Sequence, residues 1–107
     1  MRLRRGPFDD LVDRQLALFA SDEAALFTEA EEAEAAWVRA GRDDAEETYG
    51  DFQLVVDAIA DRLLELREAY AATLADDKTD AYRAAFAVRV KRRFGRYASL
   101  VSDVEPG

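Results

Sequence analysis

The sequence predicts an all-α fold, and three observations carry the prediction. Apolar residues recur at spacings of three and four along most of the chain, the period of a helix face. Alanine is abundant, and only two prolines and five glycines interrupt 107 residues; Ala loses no side-chain entropy in a helix and crowds no neighbouring turn. β-branched residues never accumulate and no apolar/polar alternation persists, so strand signals are nearly absent. The expected architecture is an antiparallel three-helix bundle built on a long helical hairpin. Its helices fall at about 8–40 (bent or broken near 21), 44–75 and 79–102.

The middle helix carries the clearest signal. Tyr49, Phe52, Val56, Ile59, Leu63, Leu66 and Tyr70 form an apolar seam with a 3.5-residue period, the pattern of a helix lying nearly parallel to another. Val55 and Leu64 widen the apolar face beyond a two-helix seam, so this helix is expected to touch more than one partner.

In chain order, residues 1–6 form a short basic arm with Arg2, Arg4 and Arg5, expected to fray. Pro7 suits a first helical turn, and Asp9 and Asp10 suit the positive end of the helix dipole. A stripe then runs through Val12, Leu16, Phe19, Leu26, Ala30, Ala33, Trp37 and Ala40. Its phase survives the stretch Ala20–Asp22, which favours one helix over two, although Ser21 offers a cap for a second one. Gly41 stands where a left-handed residue ends a helix at little steric cost. Asp43 and Asp44, each followed three residues later by a glutamate, read as overlapping capping boxes. That short turn makes the first two helices antiparallel and sets Trp37 near Tyr49. Gly50 within the second helix should cost about 1 kcal/mol relative to Ala. Thr79 is the expected cap of a third helix whose stripe is Tyr82, Phe86, Val90, Phe94, Tyr97 and Val101, with Gly95 weakening it locally. Residues 104–107 should fray.

Composition bounds the function. The length suits one domain, 1–107, with a modest core. With no cysteine the chain needs no oxidising compartment, and cytoplasm is the expected location. With no histidine it lacks the commonest general base and metal ligand. No apolar run approaches the roughly 20 residues needed to span a membrane.

The net charge of −8 is uneven. Residues 21–78 carry five basic against seventeen acidic groups, while residues 79–107 carry six basic against three acidic. Pairing between helices, or a basic partner, is the expected use of such a middle.

No catalytic constellation emerges. The run Glu29, Glu31, Glu32, Glu34 lacks the histidine of helical two-metal sites and reads as a solvated face. A calcium loop with Gly50 at its sixth position fails, because Ala45 and Tyr49 occupy ligand positions. Asp57 and Asp61 have no nucleophile beside them. No catalytic, cofactor-binding or metal residue is assigned, and no cofactor is expected.

The expected function is a non-catalytic helical interaction or scaffolding module. It would self-associate as a homo-oligomer or dock on a larger protein. The candidate interaction surface is Val55, Leu64, Arg89, Arg92, Arg93 and Arg96. Arg93 and Arg96 are expected near Asp57 and Asp61, where exposed ion pairs would add at most about 1 kcal/mol each. The alternative is a nucleic-acid-associated regulator using the basic arm and the basic C-terminal helix, a reading that the net charge disfavours.

Overall fold

The computed structural model describes residues 6–104, and among them it contains five α-helices and no strand. They are α1 (Asp9–Asp22), α2 (Ala24–Arg39), α3 (Ala45–Ala71), α4 (Asp76–Phe94) and α5 (Ala98–Val104). The basic arm expected at the N-terminus lies, apart from Gly6, outside the described residues. No described helix is long and apolar enough to cross a membrane.

The first expected helix is bent at Glu23, whose φ of −105° and ψ of 26° leave the helical region. Ser21 does not cap α2; it lies within the last turn of α1, and no side chain caps either helix. Glu23 is shared by the two helices: its N–H donates to the Phe19 carbonyl at the end of α1, and its carbonyl accepts from Phe27 N–H at the start of α2. No loop residue is inserted between the helices, so the apolar phase survives the bend. The bend has a packing cause: α2 lies along α3, whereas α1 lies on α4. Phe19 accordingly meets Phe27 edge-on at 6.0 Å and Phe94 at 6.4 Å.

α2 and α3 pack against each other on either side of the turn at residues 40–44. Trp37 meets Tyr49 edge-on at 4.8 Å and stacks on Phe52 at 5.9 Å. At the other end of α2, Glu23 reaches Arg62. The turn is built differently from expectation. Ala40 ends α2 in an extended conformation, and no described glycine has a positive φ, so Gly41 does not act as a left-handed stop. Asp44 makes no side-chain cap; the Thr48 hydroxyl instead donates back to the Asp44 carbonyl at 2.8 Å. A side chain at Gly50 would meet nothing within 4 Å, so no close neighbour accounts for that glycine.

The third expected helix is two helices. α4 begins at Asp76, ahead of Thr79, whose hydroxyl donates to the Asp76 carbonyl within the first turn. It ends at Phe94 because the chain closes tightly on itself at Gly95. A Cβ there would stand 2.6 Å from the Lys91 carbonyl oxygen, which only glycine avoids. α5 then turns back along α3, with Tyr97 near Phe52 and Val104 near Arg67. Tyr97, Leu100 and Val104 are buried. The expected fraying therefore does not begin at Val104, whose carbonyl accepts from Arg67 Nη1 at 3.2 Å. That bond satisfies one of the carbonyls a helix end leaves open.

The core combines Val12, Leu16 and Phe19 of α1 with Phe52, Val56, Ile59 and Leu63 of α3. Tyr82, Phe86 and Val90 of α4 and the apolar side of α5 complete it. Tyr82 is fully buried and its hydroxyl donates to Gln15 Oε1 at 2.9 Å. Burial pushes its ionisation up to about 12, only partly offset by that bond. α3 and α4 meet near their shared turn, where Glu68 accepts from Arg83 at 2.7 Å and from Arg67 at 2.7 Å. The bonds from Arg83 and then Arg67 hold the Glu68 carboxyl down to about 2.

Candidate protein-interaction surface

α3 is flanked on one side by α2 and α1 and on the other by α5. On the first flank, Asp51, Leu54, Val55, Arg62, Glu65 and Leu66 recur at helical spacing and make one stripe. Two open grooves lie along it. One, of about 620 Å³, runs between α1 and α3 and is lined by Leu18, Phe19 and Leu66 with Asp22 and Glu65 at its edge. The other, of about 480 Å³, runs between α2 and α3 and is floored by Ala33, Ala36 and Val55 under Leu54. Glu29, Glu32 and Asp51 border it.

The small residues of α2 create the second groove, since alanines opposite Val55 leave width that a larger side chain would fill. The first exists because α1 bends away from α3 at Glu23. There Arg62 Nη1 donates to both Glu23 oxygens, at 2.8 and 3.0 Å, and this pair stands between the two grooves.

Two aliphatic side chains on this flank are uncovered: Leu18 is 64% exposed and Leu54 69% exposed. Around them Asp22, Glu29, Glu32, Asp51 and Glu65 are exposed, and none has an ion-pair partner among the described residues. The surface thus combines apolar seats with a negative rim, and Gln15 and the Glu23–Arg62 pair also line the first groove.

The sequence-predicted surface residues are not brought together. Val55 and Leu64 are nine residues apart, which sets them on opposite flanks of α3. Both are half-buried against the core, and Val55 alone lines a groove described above. The basic residues divide as well. Arg89 turns inward to α1, its side chain 12% exposed, and pairs with Asp9 at 3.0 Å and with Asp13 at 3.5 Å. Arg96 pairs with Glu34 of α2, which pushes its ionisation up. Among the described residues the pairing expected of Arg93 and Arg96 with Asp57 and Asp61 is therefore not formed, and Arg96 pairs with α2 instead. The cause is α5, which lines the flank of α3 that a third antiparallel helix was expected to cover. Arg92 and Arg93 are left outward, exposed beside Lys91.

Leu18 and Leu54 were missed by sequence reasoning because each falls beside the stripe that defines its helix. The available signal was a large aliphatic residue off the stripe, with acids three or four residues away: Asp22 after Leu18 and Asp51 before Leu54. Trp37, Tyr49 and Val38 are also exposed, beside the α2–α3 turn, where the two rings pack on each other. Among the described residues no three carboxylates converge as a metal site would require. The chain matches no protein-family model, no curated protein and no solved structure at a significant level.

Proposed function

We propose that the chain is a non-catalytic protein-interaction module that takes another polypeptide on the grooved flank of α3, beside α1 and α2. The observation that supports this reading most is the pair of exposed leucines, Leu18 and Leu54, set over adjacent grooves on one stripe. Isolated exposed leucines are ordinary, whereas leucines aligned over apolar grooves suit a partner's side chains. Cytoplasm remains the proposed setting, because the chain has no cysteine that would call for an oxidising compartment.

The test is a photoreactive side chain installed at position 54, with one at exposed Ala72 as the control. In the source cells, position 54 should give adducts with a second polypeptide and position 72 should not. Absence of adducts from position 54 would remove the reading.

A second reading, nucleic-acid association, is supported by Lys91, Arg92 and Arg93 lying exposed together at the end of α4. It is weakened by Arg89 and Arg96 being committed to internal ion pairs. It predicts retention on DNA or RNA at low salt that falls steeply as salt rises. Arg92→Ala with Arg93→Ala should reduce that retention.

A further inference from the structure

We propose, resting on the interaction-module reading, that the grooved flank of α3, beside α1 and α2, receives a basic amphipathic helix from a partner protein. Three features of the flank specify that occupant.

Its length is the first. From Thr48 to Leu66 the stripe covers about 27 Å of helix axis, which matches about 18 residues of a second helix laid alongside. Its apolar content is the second. Leu54 and Val55 at one end and Leu18 and Leu66 at the other give separate seats about three turns apart along α3, the arrangement that a helix with two anchor clusters at that separation recognises. Charge is the third. Five carboxylates with no ion-pair partner among the described residues border the grooves, and the one arginine lining them is already bound to Glu23. A partner stripe flanked by Lys and Arg is therefore attracted and held in register, while an acidic helix is repelled.

The same charge argues against a second copy of this chain as the occupant. Laid on itself, the flank would set carboxylate against carboxylate. The chain's own basic face at Lys91, Arg92 and Arg93 is a poor complement, since Val88 is the one large exposed apolar side chain on α4.

The test uses the full chain and two synthetic peptides of about 18 residues, both made only of Leu and Lys in the same proportions. One places leucine at helical three–four spacing; the other scrambles the order. Titration calorimetry at low and moderate salt should show the striped peptide binding at least about tenfold more tightly than the scrambled one, with affinity falling as salt rises. Leu18→Ser with Leu54→Ser should weaken the striped peptide by about tenfold, the charge being unchanged. Asp51→Asn with Glu65→Gln should also weaken it and flatten the salt dependence. All four side chains are exposed, and circular dichroism of each variant checks that the helices persist.

Equal binding of the two peptides, or binding indifferent to both variants, overturns the proposal. So does a concentration-dependent dimer in sedimentation that Leu54→Ser abolishes. If position 54 still crosslinks to another polypeptide while the striped peptide fails, the module reading stands and the basic-helix occupant falls. If both fail, both are lost.

Discussion

On the inner side of α3, Phe52, Val56, Ile59 and Leu63 are buried among the other helices, whereas Leu54, one residue from Val55 and two from Phe52, is mostly exposed. The two sides differ in what covers them. α5 folds back against α3, so the seven residues after Tyr97 complete the core on one flank. α2 lies along the other flank, but its alanines and the bend at Glu23 leave two grooves open there. A helix can thus be fully amphipathic and still hold apolar surface that folding does not use. On α3 that surplus borders acids with no ion-pair partner among the described residues, whereas Glu23, Glu34 and Glu68 are each paired with an arginine of another helix or helix junction.

The comparison breaks first if α5 proves dispensable. Leu100→Ala should destabilise the protein by about 2–5 kcal/mol in urea unfolding, because the side chain is fully buried between helices. A loss below about 1 kcal/mol would mean that α5 contributes little to the inner side. Gly50→Ala probes a stretch of α3 where packing makes no demand, since a Cβ there meets nothing. It should raise stability by about 1 kcal/mol, visible as a higher unfolding midpoint.

Acid titration tests the α3–α4 clamp. Glu68 is held at about 2 in the folded protein against an ordinary 4.5, chiefly by Arg83. A lowered folded pKa contributes stability above the unfolded pKa and loses it as pH falls through the folded one. The contribution should therefore be complete above about pH 4.5 and fade towards pH 2. Because Glu68 is largely exposed, its size should stay within about 1 kcal/mol. Glu68→Gln should remove that part of the acid dependence in pH-dependent urea melts. The smallest effect is expected at Arg92→Ala, which should change stability by no more than about 0.5 kcal/mol, since the side chain is exposed.

Much of this arrangement was legible in the sequence, and the parts that were not share a cause. The packing of α2 against α3 and the contact of Trp37 with Tyr49 follow from local periodicity and a short turn, both of which are local properties. The split between α4 and α5 was hidden because Tyr97 and Val101 continue the stripe of Phe94 without a change of phase. What divides them is a close approach at Gly95 to the Lys91 carbonyl, a backbone contact that no side-chain pattern records. The partner of Arg96 was misplaced for the same reason, since it depends on which helix the α4–α5 junction lies against. The candidate surface was half legible. Val55 was flagged by its apolar character, but Leu18 became informative only once α1 was seen to bend beside Leu66.

If the leucines over the grooves serve recognition, folding should not depend on them. Urea unfolding of Leu18→Glu with Leu54→Glu, set against the unchanged chain, tests it most directly. The two substitutions together should move the free energy of unfolding by no more than about 1 kcal/mol, roughly 0.5 for each exposed site, with an unchanged urea dependence. A loss of several kcal/mol would place both leucines in the core and contradict the claim.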